Sequence, residues 1–143
     1  MFALEGFIEK GTQPELTLNQ LADNIQDWQI ASQPVLKMQT MPFPRDNPRT
    51  YITLTWDEKW CVSIHLIKAD QDFEQEIAEM ARAVAKVDLQ KAQAIQHADQ
   101  ILRVMMGNDL SDDYISHLGI LLTERLAEFT GCIFVEQNQK RLF

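Results

Sequence analysis

Residues 70–97 read DQDFEQEIAEMARAVAKVDLQKAQAIQH and contain neither glycine nor proline. Their apolar residues recur every three or four positions, which is the spacing of one face of an α-helix. That face comprises Phe73, Ile77, Met80, Val84 and Val87, and Ile95 and Ala98 continue it. Because Lys91 interrupts the pattern, we expect the helix to bend or break near Asp88.

The beginning of this predicted helix is strongly acidic. Asp70 is suited to cap it, because its carboxylate can accept hydrogen bonds from the unpaired N–H groups of the first turn. The acidic residues before the first basic one, Arg82, are Asp70, Asp72, Glu74, Glu76 and Glu79. Negative charge in the first turn also suits the helix dipole. Glu76 and Glu79 lie beyond that turn, which leaves binding of a partner as a second interpretation of the acidic run.

Two strands are expected immediately before this helix. Residues 51–56 place Ile52, Leu54 and Trp56 on one face, and residues 60–67 do the same with Trp60, Val62, Ile64 and Leu66. Asp57, Glu58 and Lys59 form the turn between them. This alternation predicts a β-hairpin with one face on the core. The long helix is expected to cover that face.

The first third of the chain predicts a strand, a helix and a second strand. The apolar segment Phe2–Glu9 is expected to be an edge strand, and Thr17 with Gln20 forms a capping box at the start of a helix. Val35–Met41 is predicted to be a strand. It leads into a loop containing Pro42, Pro44 and Pro48, where neither a central strand nor a helix interior can form.

The last third of the chain completes the prediction. Residues 101–106 fit either an extension of the long helix or a strand, and the Gly-Asn pair that follows favours the strand. Ser111 or Asp112 is expected to cap a final helix, which Gly131 ends. A strand at 132–136 and a short one at 141–143 follow. The whole chain is predicted to be one α+β domain, with an antiparallel sheet of about four to six strands and two or three helices packed mainly on one face.

Composition excludes several classes of protein. The chain has 143 residues, is 45% hydrophobic and carries a net charge of −8, which disfavours a nucleic-acid-binding protein because such binding depends on basic contacts. No apolar run approaches the length of a membrane span. The N-terminus lacks the basic region of a signal peptide. We therefore expect a cytoplasmic protein, in which Cys61 and Cys132 are buried, reduced thiols.

No pattern of residues indicates a metal, a cofactor or catalysis. A zinc site would have to combine Cys61, His65, Cys132 and His117, yet no C-x-x-C pair and no closely spaced pair of histidines occurs. Neither cysteine lies on an expected exposed turn, where an activated thiolate would be found. The glycine-rich phosphate loops and the nucleophile elbow are absent from the sequence. The sequence thus predicts a protein that is not an enzyme and holds no cofactor.

The final stretch, DDYISHLGILLTERLAEFTGCIFVEQNQKRLF at 112–143, combines an amphipathic helix, a Thr-Gly stop, an apolar strand and a polar turn. Together with the hairpin and the long helix, this pattern resembles small bacterial immunity proteins, which are encoded beside polymorphic or contact-delivered toxins. The resemblance implies a cytoplasmic protein that neutralises a cognate toxin by binding it. An acidic surface is consistent with that role, since many toxins that act on nucleic acid are basic.

The favoured function is therefore a non-enzymatic binding protein that occludes a toxin. The proposed contact residues are Phe43 in the proline loop, Asp57 and Glu58 in the hairpin turn, and Glu74, Glu76 and Glu79 in the helix. Two alternatives remain open. One is a homodimeric structural or adaptor protein that assembles through an uncovered face of the sheet. The other is a small ligand-binding domain or enzyme without a recognisable motif, which predicts a pocket with converging polar groups.

Overall fold

A computed structural model describes residues 2–11, 15–29, 33–41, 49–56, 60–106 and 119–143. The strands are β1 (Phe2–Glu9), β2 (Val35–Met41), β3 (Arg49–Trp56), β4 (Trp60–Lys68), β5 (Ala98–Met106), β6 (Ile133–Glu136) and β7 (Arg141–Leu142). The helices are α1 (Leu18–Ile25), α2 (Glu74–Ala85), α3 (Leu89–Gln96) and α4 (Ile120–Thr130). The strands form one antiparallel sheet in the order β2-β3-β4-β5-β1-β6-β7.

The predicted α+β class is confirmed, with more elements than expected. Within the described residues the sheet has seven strands, where about four to six were predicted, and there are four α-helices, where two or three were predicted. One extra helix arises because the long helix breaks, as the sequence indicated. Asp88 adopts an extended backbone and its side chain accepts from Lys91 N–H, so it ends one helix and caps the next.

Several predicted local signals are confirmed. Thr17 and Gln20 form the capping box of α1 with hydrogen bonds of 3.0 and 3.2 Å. Asp70 caps a short 3₁₀ turn, Gln71–Phe73, which precedes α2. Residues 101–106 belong to a strand, and Gly131 ends α4 in the left-handed conformation, with φ 71°. The prolines of the loop and the expected caps Ser111 and Asp112 lie outside the described residues.

The helices cover both faces of the sheet rather than mainly one. Alternate residues of β1 separate the two sides: Leu4 and Ile8 pack with α1 and α4, whereas Phe7 packs with α2 and α3. We call these sides the α1/α4 face and the α2/α3 face. The hairpin residues Ile52 and Leu54 lie on the α1/α4 face. The prediction that the long helix covers them is therefore wrong, because α2 and α3 lie against β1, β5 and β6 on the opposite side.

The first strand also differs from its predicted place. β1 was expected at an edge, but it pairs with β5 on one side and with β6 on the other. The prediction failed because an apolar segment does not specify its neighbours in the sheet, and β5 and β6 lie far along the sequence. In the structure Glu5 is fully buried and is paired with Arg103 of β5.

A glycine in β1 provides a test of this packing. A Cβ atom on Gly6 would lie 2.9 Å from Cys132 Sγ and 2.9 Å from the ring of Phe134. We expect Gly6→Ala to destabilise the fold by about 1–3 kcal/mol, because the core would be overpacked. Urea unfolding measures this effect. The control is Gly119→Ala, whose Cβ meets the flexible end of Met106 at 3.2 Å; because that end can shift and position 119 has a right-handed helical backbone that alanine adopts readily, the control should be less destabilising than Gly6→Ala. Equal effects of the two variants would contradict the close packing at Gly6.

Candidate functional site

No helix among the described residues covers the β2–β4 part of the α2/α3 face. The cluster of buried residues beneath α2 and α3 includes Phe7, Ile101 and Val135, but no described residue of β2 or β3. We call the part of this face formed by β2, β3 and β4 the open half. Its residues include Tyr51, Thr53, Thr55, Ser63 and His65, all half-buried. The open half is bordered by α2, so the site combines a polar sheet surface with an acidic helix.

A row of polar side chains crosses this face of the sheet. The strand register places Gln39 opposite Tyr51, His65 opposite Arg103, and Arg103 opposite Glu5. The rings of Tyr51 and His65 stack, with centroids 4.6 Å apart and planes 10° from parallel. Four of these residues were not singled out as functional by sequence reasoning; only His65 was considered, for zinc. Glu5 was the sequence signal for this row, because an acid within a buried apolar strand requires a partner.

Arg103 joins the row to α2 through two carboxylates. Its Nη2 donates to Glu5 Oε1 at 2.7 Å and to Glu76 Oε1 at 3.4 Å, and its Nε donates to Glu5 Oε1 at 3.1 Å. Glu5 is fully buried, whereas the side chain of Arg103 is 24% exposed. Since one guanidinium faces two carboxylates, the cluster carries a surplus negative charge when both are ionised. This surplus makes the binding of one proton favourable.

Burial raises the pKa of Glu5 to about 7, with a hydrogen bond to Glu76 as the next cause and the Arg103 charge opposing both. Glu5 Oε2 has no hydrogen-bond partner among the described residues. When Glu5 is protonated it can donate to Glu76, which stabilises the neutral form of Glu5. The raised pKa means that Glu5 is partly protonated near neutral pH.

A cavity of about 240 Å³ opens beside Arg103 on the open half. Its lining includes Met41, Arg49, His65, Arg103 and Met105. Burial, followed by the charges of Arg103 and Arg49, lowers the pKa of His65. The imidazole is therefore neutral at neutral pH, and the positive charge of the cavity resides on the two arginines.

The acidic residues proposed to bind a partner are partly engaged within the fold. Glu76 pairs with Arg103, and Glu79 Oε2 lies 3.3 Å from Lys140 Nζ. Glu74 is exposed at the start of α2. Phe43, Asp57 and Glu58, the other proposed contact residues, lie outside the described residues. The structure thus brings Glu74, Glu76 and Glu79 together on α2.

The two cysteines differ from the prediction that both are buried. Cys132 is buried and its pKa is raised to about 11, mainly by burial. Cys61 is exposed, because strand alternation places it on the open half, opposite to Val62. No group of three possible metal ligands occurs among the described residues. His117, one of the ligands considered for zinc, lies outside them.

The outer edge of β2 is a second exposed feature. β2 is seven residues long, and within the described part of the chain only β3 pairs with it. Three of its apolar side chains are exposed: Val35 by 57%, Met38 by 41% and Met41 by 41%. The opposite edge of the sheet is the two-residue strand β7. β2 therefore offers a much longer row of backbone N–H and C=O groups for pairing than β7 does.

The chain matches no protein-family model, no curated protein and no solved structure. None of the described helices is both long enough and apolar enough to cross a membrane. The open half, the cavity and the edge of β2 are the features of the described chain that bear on function.

Proposed function

We propose that the protein acts by binding another protein, without catalysis, and that the partner adds a strand to the outer edge of β2. The observation that carries this proposal is the length and exposure of that edge. An unpaired strand offers a row of N–H and C=O groups, and proteins usually shorten such edges or place charges on them. β2 has a single charged residue, Lys37, among its seven. Strand addition is a common way of recognising a partner protein.

The proposed partner is a basic bacterial toxin, and the protein is of the immunity type. The net charge of −8 supports this choice, because opposite charges accelerate encounter. The acidic residues of α2 border the open half and would face a partner that covers it. Glu74 is the most available of them, since Glu76 and Glu79 already have basic partners in the fold. Occlusion of the toxin by this surface is the proposed mechanism.

The experiment is an affinity pull-down from the native host with matched baits. Val35→Lys/Met41→Lys places two positive charges on the β2 edge, where lysine opposes strand addition. The control, Val87→Lys/Leu89→Lys, makes the same change at apolar residues that are 81% and 63% exposed at the α2–α3 turn. We expect the wild type and the control to retain one basic protein, more at low than at high salt, and the edge variant to lose it. Equal recovery on both variants would refute binding at β2.

A homodimer is the second candidate, and the sequence of β2 favours it specifically. Antiparallel pairing of two β2 strands about a two-fold axis at Met38 places residues whose numbers sum to 76 opposite each other. Val35 then faces Met41 of the second copy, Lys37 faces Gln39, and Met38 faces its own equivalent. No like charges oppose one another, and the apolar side chains pair. The result would be a continuous sheet through both copies.

Sedimentation across a concentration series distinguishes the two candidates. Met38→Lys would place two lysines opposite each other at the two-fold axis and should make a dimer dissociate, since like charges directly opposite are destabilising. Thr40→Lys is the matched control, because it adds the same charge on the same strand opposite Leu36 of the second copy. A wild type that stays monomeric at all concentrations would eliminate the homodimer.

A further inference from the structure

The cavity on the open half has a charge that differs in sign from the rest of the protein. The chain as a whole carries −8, but within the described part of the chain the charged residues that line the cavity are Arg49 and Arg103. Arg49 forms no ion pair with any described residue, and Arg103 shares its charge with Glu5 and Glu76. When Glu5 is protonated, the arginines contribute two positive charges and Glu76 one negative charge. The site then has a net charge of about +1.

Arg103, which lines the cavity, has a donor that its carboxylate partners do not use. Glu5 and Glu76 engage Nε and Nη2 of Arg103, which leaves Nη1 without a hydrogen-bond acceptor among the described residues. The fully buried Glu5 fixes the guanidinium in place. A positioned guanidinium is a strong receptor for a carboxylate, because two parallel N–H groups match its two oxygens. Arg49, the exposed first residue of β3, also lines the cavity.

We propose that this cavity binds a small organic carboxylate, with its oxygens between Arg49 and Arg103 and its apolar part against Met41, Ile67 and Met105. All five residues line the cavity. This site adjoins the outer edge of β2, with which it shares Met41, but binding of the carboxylate does not depend on a protein partner. It corresponds to the ligand-binding alternative that the sequence left open.

The size and charge of the cavity select this class of ligand. A volume of about 240 Å³ is below the roughly 300–1,000 Å³ that holds drug-sized ligands. A net charge of about +1 suits a monoanion better than a doubly charged phosphate, because the surplus charge would meet Glu5 and Glu76 in a poorly solvated site. The methionines and Ile67 provide apolar contact that a bare inorganic anion would not use.

The test is a calorimetric titration of the full chain with benzoate, acetate and inorganic phosphate at constant ionic strength. Arg49→Gln removes one arginine without unpairing Glu5. Arg82→Gln is the matched control, since Arg82 is exposed on α2 and does not line the cavity. We expect saturable binding of benzoate, tighter than that of acetate. Arg49→Gln should weaken it by about tenfold, as expected for the loss of a charged hydrogen bond, and Arg82→Gln should leave it unchanged.

Two results would overturn the proposal. One is the absence of saturation with both carboxylates, and the other is an equal loss of affinity in Arg49→Gln and Arg82→Gln. Phosphate binding tighter than benzoate would also reject the assignment of the ligand as a carboxylate. Chemical shifts of His65 provide an independent readout, because an anion beside the imidazole stabilises its protonated form and raises its pKa. This shift should be lost in Arg49→Gln.

Discussion

Replacing Arg103 with methionine is expected to destabilise the fold by about 3–5 kcal/mol near pH 8, the usual cost of removing one partner of a buried ion pair. Methionine keeps the length of the aliphatic stem but leaves Glu5 without a donor. Glu5 is fully buried between β5 and β6, so water cannot replace the guanidinium. The effect should be larger than that of any other charge removed from the described surface.

Urea unfolding of a double-mutant cycle checks this origin. Glu5→Gln/Arg103→Met removes both charges and should recover much of the stability lost in Arg103→Met alone. The loss in Arg103→Met should also be smaller near pH 5, because Glu5 can then be neutral. If the double variant is as unstable as Arg103→Met, the loss reflects packing of the guanidinium group, and the ion pair is not its cause.

Replacing Glu5 with glutamine is expected to stabilise the fold at alkaline pH. The amide is isosteric with a protonated carboxyl: its oxygen can accept from Arg103 and its NH₂ can donate to Glu76. Because burial raises the pKa of Glu5 from 4.5 to about 7, the native site prefers the neutral form. We expect Glu5→Gln to gain about 1–3 kcal/mol over the wild type near pH 8.

The pH dependence of the free energy of unfolding follows from the raised pKa of Glu5. Below about pH 4.5 the carboxyl is neutral in both the folded and the unfolded chain, so the preference of the folded state for the proton is fully satisfied. Between about pH 4.5 and 7 the folded state binds more protons than the unfolded state, and stability falls as the pH rises. Above about pH 7 the loss is complete and constant.

Urea unfolding at several pH values measures the difference between Glu5→Gln and the wild type. The difference in the free energy of unfolding should be near zero below about pH 4.5, increase between about pH 4.5 and 7, and stay constant above about pH 7. Glu124→Gln, which changes an exposed carboxyl of α4, is the control and should follow the wild type at every pH. Parallel curves for Glu5→Gln and the wild type would show that Glu5 does not retain its proton on folding.

Local signals in the sequence predicted the elements well because their causes are local. The capping box of Thr17, the helix break at Asp88 and the C-terminal Gly131 each depend on a few neighbouring residues. Strand alternation likewise placed Ile52 and Leu54 on the core side of the hairpin. None of these signals specifies which strands are neighbours in the sheet. The α+β class was therefore predictable, whereas the position of β1 was not.

The site was largely missed because its parts come from distant segments. Glu5 and Arg103 are separated by 98 positions in the sequence, and only the pairing of β1 with β5 makes them opposite neighbours. His65 and Arg49 join them through β4 and β3. Glu76 shows the same difficulty, since in the sequence it belongs to an acidic run and in the fold it faces Arg103. Residue type alone could not distinguish a solvated acid from a paired one.

The central position of β1 has a consequence for the order in which the molecule can be assembled on the ribosome. β1 is synthesised before every strand it pairs with, and Leu4 must wait for Glu136, its partner in β6. The hairpin of β3 and β4 can form early from neighbouring residues, but the apolar surface of β1 stays uncovered until β5 and β6 have emerged. Contacts of such long sequence separation slow folding and expose nascent chains to aggregation. We therefore expect the sheet to close only after nearly all of the described chain has been made.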